Sequence, residues 1–259
     1  MTKNQYLNQS KIKKNDEYYT RYTDIEKEIS KYADYLKDKI IYCNCDSENS
    51  NFVKYFIDNK DNIQYKEFIY TSNDFRDNID VLKKCDIMIT NPPFSLLREF
   101  VKTIVEYNKD FIIVAPLLSL GYVTFFDFYK SYKIKTGYNT ISKFDNITRN
   151  IPCIWLTTLP VKKEKPSFTK KYNSSSYPKY DNYDAINVDR LIDIPNDYKY
   201  LMGVPITFLL TYDKNSDYTL VSTHCRAKIN GKSKFQRLFI RSVNEGITII
   251  NDLRAITDA

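Results

Sequence analysis

DIMITNPPFSLLREFVKTIVEY, residues 86 to 107, holds a strand, a rigid corner and a helix in one unbroken run. Residues 86–90 are short, apolar and β-rich. From Ser95 the apolar residues Leu96, Leu97, Phe100, Val101, Ile104 and Val105 recur at the spacing of one helix face. The chain around this run repeats its pattern. Residues 40–43, 68–71 and 111–115 are apolar runs of buried-strand length, and helices are expected over 51–58 and 79–84. Another helix is expected from Thr23, where Thr23 and Glu26 have capping-box spacing and Ile25, Ile29, Tyr32, Ala33 and Leu36 form one face. Strands alternating with helices through about residue 160 predict right-handed crossovers. The fold class is therefore α/β, a doubly wound, mostly parallel sheet with helices on both faces. Ligands bind beyond the carboxyl ends of such strands, which puts Asp46, Asp74 and Asn91 along one rim.

The chain has 259 residues, enough for one substantial core with a smaller appendage. No apolar stretch is long enough to cross a bilayer, and the polar, lysine-rich opening MTKNQYLNQSKIKKNDE lacks the apolar segment of a secretion signal. A soluble, cytoplasmic monomer is expected. The cysteines, Cys43, Cys45, Cys85, Cys153 and Cys225, show no C-x-x-C spacing, and His224 is the single histidine. A metal site is therefore not expected, and mechanisms needing a histidine pair are excluded. Cys43, Cys45 and Cys85 read as packing residues. The net charge of +7 is compatible with a polyanionic partner.

After Leu159 the composition turns to Lys, Tyr, Ser and Asn with little periodicity, which predicts a long loop or extended arm. Strands are expected again over 204–212 and 218–223. The basic run RAKINGKSKFQRLFIR, residues 226 to 241, follows. Two regions are expected, 1–160 and a smaller, irregular 161–259.

The Asn91-Pro92-Pro93-Phe94 corner carries the most specific chemistry. Two prolines fix φ twice and remove two amide donors, holding the carbonyls of Asn91 and Pro92 in place. An Asn amide beside a rigid carbonyl offers two acceptors, which suits an NH2 group with two hydrogens to give. Phe94 offers a flat face for a planar ring, a contact worth about 1–3 kcal/mol per base in nucleic-acid complexes. The alternative is a simple strand-to-helix loop with Phe94 in the core.

Asn-Pro-Pro-Phe resembles the (D/N/S)-P-P-(Y/F/W) motif of S-adenosylmethionine-dependent amino-methyltransferases. Together with KNDEYYTRYTDIEKEI (14–29), IIYCNCDSENSNFVKYF (40–56), NDFRDNIDVLKKCDIMITNPPFSLLREF (73–100) and SSYPKYDNYDAINVDRLIDIPNDYKYLMGVPITFL (175–209), it resembles the EcoRI-type adenine-specific DNA methyltransferases. The resemblance implies a methyl donor, S-adenosyl-L-methionine, no metal, and double-stranded DNA as partner. A cognate restriction endonuclease could accompany such an enzyme without a stable complex. It implies that Asn91, Pro92, Pro93 and Phe94 hold a flipped adenine, with Asn91 and the Pro92 carbonyl accepting from N6. Tyr19 and Thr20 would line the methionine end of the donor, Asn44 and Asp46 would meet it after the first strand, and Asp74 with Phe75 would meet its adenine.

DNA phosphates would be met by Arg226, Lys228, Lys232, Lys234, Arg237, Arg241, Lys170 and Lys171, with Lys162, Lys163 and Lys165 nearby. The tyrosines of the arm, Tyr172, Tyr177, Tyr180 and Tyr183, would wedge into or line the DNA, or else pack irregularly. Two departures stand out: CDSENSNF has no glycine, and none lies before residue 121, although that turn in the superfamily is glycine-rich; and no acidic residue directly ends the second strand, FIYTS, so the family's usual ribose partner is missing or comes from elsewhere. The clamp recognises an amino group and not a particular base. Cytosine N4, or an RNA or protein amide, is thus an alternative acceptor, and a catalytically silent DNA-binding relative is an alternative of another class.

Overall fold

The computed structural model describes residues 18–224 and 226–243. The chain divides into two compact units, one comprising residues up to Leu117 together with Ile134–Val161, the other Leu118–Lys133 and the chain from Lys162 on. The segment Leu118–Lys133 thus belongs with the later part of the chain.

The first unit opens with α1 (Tyr22–Ile29) and the short α2 (Ala33–Leu36). Then β1 (Ile40–Asn44), α3 (Asn51–Asp58), α4 (Lys60–Ile63), β2 (Glu67–Thr71), α5 (Ile79–Lys84), β3 (Ile87–Thr90), α6 (Leu97–Glu106) and β4 (Asp110–Pro116) alternate as the apolar pattern predicts. After α7 (Val123–Lys130), which lies in the second unit, the sheet is completed by β5 (Lys135–Ile141) and β6 (Cys153–Thr157). Its strand order is β2-β1-β3-β4-β6-β5. The first four strands are parallel, and β6 runs antiparallel to both β4 and β5.

Strand side chains alternate between two faces. Ile41, Cys43, Ile87, Ile89, Ile112, Val114 and Trp155 pack with Ile25 and Ile29 of α1 and Phe52 and Phe56 of α3 in one core. On the opposite face α5 packs against β1 and α6 against β4. The parallel sheet is therefore covered on both sides. From β1 the chain steps outward to β2, then returns to place β3 on the other side of β1, so the order reverses between β1 and β3. That is the topological switch point, where the crossover connections diverge and leave a crevice.

Three local expectations are corrected. No capping box forms at Thr23, because α1 begins one residue earlier, after Arg21 in extended geometry, and Thr23 lies inside the first turn. β2 is an edge strand with Tyr70 exposed, so its apolar run is only half buried. Within residues 204–212, β8 (below) stops at Pro205 and a 3-10 helix follows over Ile206–Leu210.

The second unit holds a sheet of β7 (Ile186–Asn187), β8 (Met202–Pro205), β9 (Tyr218–His224) and β12 (Arg237–Ser242) in the order β7-β8-β12-β9. A separate two-stranded ribbon joins β10 (Lys228–Ile229) to β11 (Lys232–Ser233). Helix α7 packs on β9.

Glu28 is fully buried, yet its carboxylate accepts from Tyr138 N (2.9 Å), Asn139 N (2.9 Å), Asn139 Nδ2 (2.8 Å) and Tyr32 Oη (2.9 Å). Burial raises its pKa, and these donors oppose the rise. The carboxylate reaches the β5 amides because Gly137 has no Cβ. A Cβ there would lie against Glu28 Oε1 and 2.7 Å from Trp155 Cβ. Gly137→Ala should therefore cost about 1–3 kcal/mol through overpacking, measured by urea denaturation. A loss within error of zero would show that the carboxylate has room to retreat.

Candidate active site

At the switch point the end of β3 is tied to the end of β1 by one side chain. Thr90 Oγ1 lies 2.8 Å from Asp46 Oδ2 and within hydrogen-bond distance of the Asn44 carbonyl. The second carboxylate oxygen of Asp46 accepts from Ser50 Oγ, which itself accepts from Phe52 N and caps α3. Asp46 N donates to the Thr71 carbonyl at the end of β2 (2.9 Å). One buried residue thus gathers three strand ends and a helix start.

A threonine hydroxyl has a single hydrogen, but Thr90 faces two acceptors. The conflict disappears if Asp46 carries a proton: Asp46 donates to Thr90 and Thr90 donates to the Asn44 carbonyl. Burial raises the Asp46 pKa to about 6, against the opposing hydrogen bonds of Ser50 and Thr90. Burial thus lets Asp46 take up a proton at mildly acidic pH, and that protonated form is the one that satisfies both Thr90 contacts.

The turn between β1 and Asp46 has no glycine. Cys45 takes its place in the left-handed region with φ 61°, a conformation costly for a residue with a Cβ. Its Sγ lies against Asn44 Oδ1 and 3.7 Å from the Asn73 carbonyl, so the side chain bridges the turn after β1 and the loop after β2. Cys45 is partly exposed, unlike Cys43 and Cys85, so it is a turn residue and not core packing as expected.

Asn91 follows Thr90 directly. Its Nδ2 donates to the main-chain carbonyl of Tyr18. A carbonyl can only accept, so the amide must turn its NH2 toward Tyr18. Asn91 Oδ1 is left buried with no hydrogen-bond partner. Pro92 is buried and Phe94 partly so. The Phe94 ring packs against the core cluster and lies 4.9 Å from the Tyr18 ring, centroid to centroid, at 35°.

Residues 18–20 are fastened beside this corner. Tyr19 N donates to Asn146 Oδ1 and its carbonyl accepts from Asp145 N, both at 2.9 Å. Thr20 forms a bridge with Phe144. Asn51 Nδ2 reaches both the Thr20 carbonyl and Asp145 Oδ2 at 2.9 Å. The Tyr19 side chain is exposed, and Thr20 Oγ1 is buried without a partner. Asp145, Asn146 and Arg149 line an open depression here, and Arg149 Nη2 is 3.4 Å from Tyr18 Oη. Sequence reading missed these three. Their loop has no motif, and only its docking on residues 18–20 gives it a place.

Other expected site residues sit further back. Asn44 is fully buried, with Nδ2 3.4 Å from Tyr42 Oη, so it supports the turn and exposes no side-chain surface. Phe75 is buried edge-on against Phe100 at 5.0 Å. Asp74 caps the short helix after β2, accepting from Arg76 N (3.0 Å) and pairing with its guanidinium (2.5 Å). The Arg76 hydrogen bond chiefly holds its pKa below the usual carboxylate range.

In the second unit the basic run separates into two sets. Arg237 is buried, donates to Asp189 Oδ1 at 2.7 Å, and cannot serve as an exposed phosphate contact. Lys234 also faces Asp189, at 3.8 Å. Arg226, Lys228 and Lys232 are exposed, and Arg241 is half-buried. Lys170 and Lys171 are exposed, the latter 4.0 Å from Asp197, while Lys163 bonds the Leu210 carbonyl and Lys165 pairs with Asp217. Tyr177, Tyr180 and Tyr183 are buried, and Tyr172 stacks with Tyr177. Of the two readings open for these tyrosines, Tyr177, Tyr180 and Tyr183 follow packing, and Tyr180 and Tyr183 belong to the unit's core.

The sheet order and its reversal between β1 and β3 define a doubly wound α/β protein with polar side chains converging at the switch point. Relatives sharpen that class. The chain is 36% identical to the Type II methyltransferase M.EcoRI of Escherichia coli over 317 residues, covering 92% of this chain and 97% of the relative. It is 32% identical to the Type II methyltransferase M.MgeORF184P of Mycoplasma genitalium (80% and 83% covered) and 31% to M.MpnI of Mycoplasma pneumoniae (79% and 81%). The family described as adenine-specific methyltransferase EcoRI matches residues 6–78, 70–149 and 142–248. The chain belongs to this EcoRI-type methyltransferase family. The first alignment is longer than the chain itself, so the Escherichia coli protein has segments with no counterpart here.

A protonation test follows from Asp46. Its folded pKa, about 6, lies above the ordinary aspartate value of about 3.9, so the native state keeps a proton that the unfolded chain loses first. Stability is then full below about pH 4 and falls as pH rises to about 6, by about 3 kcal/mol. Asp46→Asn can donate to Thr90 and accept from Ser50 without a charge. Urea denaturation should find it more stable than wild type at pH 7, with the difference vanishing near pH 4. A variant less stable at pH 7 would mean that burial does not raise the Asp46 pKa in the folded protein.

Proposed function

We propose that this protein transfers a methyl group from S-adenosyl-L-methionine to adenine N6 in double-stranded DNA, with the target base turned out of the helix. The observation that carries the reading is the buried, unpartnered Oδ1 of Asn91 beside the Phe94 ring. A buried acceptor left without a donor costs about 1–3 kcal/mol, and it is accounted for if its donor arrives with the substrate.

Asn91 Oδ1 and the Pro92 carbonyl accept the two N6 hydrogens. Holding both hydrogens in directions away from the ring plane pushes the nitrogen toward sp3 character and frees a lone pair that is otherwise delocalised into adenine. No strong base is needed before attack: as the carbon–nitrogen bond forms the carbon–sulfur bond breaks and leaves a neutral thioether, and the now cationic N6 then sheds one proton to solvent, which suits a site whose described residues work by positioning. The Tyr18 carbonyl keeps the Asn91 amide correctly turned. Phe94 stacks on the extruded base and returns part of the few kcal/mol spent on unstacking.

S-adenosylmethionine supplies, when bound, a methyl group already activated on a positively charged sulfur. Residues fit to hold it are Thr20, whose buried hydroxyl lacks a partner, with Tyr19, Asp46 and Asp74 around the same strand ends. Asn44 and Phe75 support them from behind, and Arg76 shares Asp74 with the donor or releases it. We assign catalysis to the first unit and DNA recognition to the second.

Asn91→Ala should bind duplex DNA as wild type does and lose methyl transfer by about 100-fold or more. Asn91→Asp sets a carboxylate oxygen against the Tyr18 carbonyl. Its transfer should fall too and recover partly as pH is lowered, when a protonated aspartate can donate to Tyr18. Single-turnover rates with labelled donor read both, and rates equal to wild type in either variant would sink the clamp.

A further inference from the structure

The turn of the β10–β11 ribbon is Asn230-Gly231, both at positive φ (52° and 72°), the geometry of a two-residue hairpin. A hairpin this short is marginal by itself, but this one is held from behind. Asp181 accepts from Asn230 N (3.0 Å) and Gly231 N (2.7 Å), so its carboxylate grips the tip. Asn182 accepts from Lys228 N (2.9 Å) and donates to the Arg226 carbonyl (3.0 Å), fixing the first strand.

The register sorts the basic run by face. Lys228 pairs with Ser233 and Ile229 with Lys232. Lys234 N donates to the Ala227 carbonyl (2.8 Å), which extends the ladder by a rung and sets Arg226 across from Phe235. Ala227 is buried and Ile229 packs on the unit's core, so their rungs face inward. The alternate rungs carry Arg226, Lys228, Ser233 and Phe235, all exposed, with Phe235 at 66%. No acid pairs with Arg226 or Lys228 among the described residues, whereas the inward Lys234 meets Asp189. Two cations, a hydroxyl and a bare aromatic on one outward face of a braced ribbon are not explained by folding.

Resting on the methyltransferase reading above, we infer that this face of residues 226–235 enters the major groove of duplex DNA and reads base edges of the recognition site. The major groove of B-form DNA admits a two-stranded ribbon. Arg226 suits the paired acceptors of guanine, Ser233 can donate or accept, and Phe235 suits a thymine methyl group. Lys228 suits a phosphate. The major groove of an RNA duplex is too narrow for the ribbon, so the partner is DNA.

The test compares full-length wild type with the Arg226→Ala/Phe235→Ala double variant and with Lys228→Ala. Methylated sites in genomic DNA are mapped, and affinity for duplexes is measured across a salt series. The double variant should lose more affinity for cognate duplex than for unrelated duplex, so that its preference for cognate sites falls at least tenfold. Lys228→Ala should weaken all duplexes alike and reduce the salt slope by about 1. Site preference and salt slope unchanged in variants with native circular dichroism would overturn the assignment, as would equal competition by duplex RNA. If wild type itself methylates no duplex DNA, the underlying methyltransferase reading fails. If wild type methylates and the variants match it, the ribbon alone is wrong.

Discussion

Thr90 has one hydroxyl hydrogen and two acceptors in reach, and that mismatch organises the site. Below about pH 6 a proton on Asp46 resolves it, and at any pH the residue's two oxygens hold Thr90 and Ser50 together at the switch point. Strands β1 and β3 are fixed to each other at the ends where the sheet leaves its crevice. Because Asn91 is the next residue after Thr90, the stitch also sets where the clamp begins. The carbonyl of Tyr18 then decides which way the Asn91 amide faces. A chain with aspartate at residue 91 would need a proton to make the same contact.

The site includes a strained turn. Cys45 stands in the left-handed region without being glycine, and its sulfur contacts span the turn after β1 and the loop after β2. The glycine-free turn keeps a conformation that glycine would adopt at no steric cost. Residues 18–20 owe their position to Asp145, Asn146 and Asn51 and not to any helix or long strand.

Much of this was legible in the sequence where local pattern and tertiary role coincide. The runs that became β1, β3 and β4 are continuous and apolar because parallel strands are buried on both faces, and the proline pair marks the end of β3 whatever packs around it. Other features depend on partners distant in sequence. Thr23 has capping-box spacing, but the helix was already under way. Nothing near Arg237 in the chain reveals that Asp189 awaits it, so its charge read as surface. Tyr177, Tyr180 and Tyr183 lie in a segment without periodicity, which hides that they are buried. Asn230-Gly231 is a strong hairpin signal, and the lysines around it drew attention to charge and away from the turn.

The two units divide the work of the proposed function by chemistry. The first holds an acceptor waiting for a donor, and the second presents cations and an aromatic ring on a braced ribbon. The measurement that bears most directly on this account is transfer of labelled methyl from S-adenosylmethionine to duplex DNA, followed by digestion to nucleosides. Label recovered as N6-methyldeoxyadenosine is the expected result. Label on cytosine, on RNA or protein alone, or nowhere would contradict it.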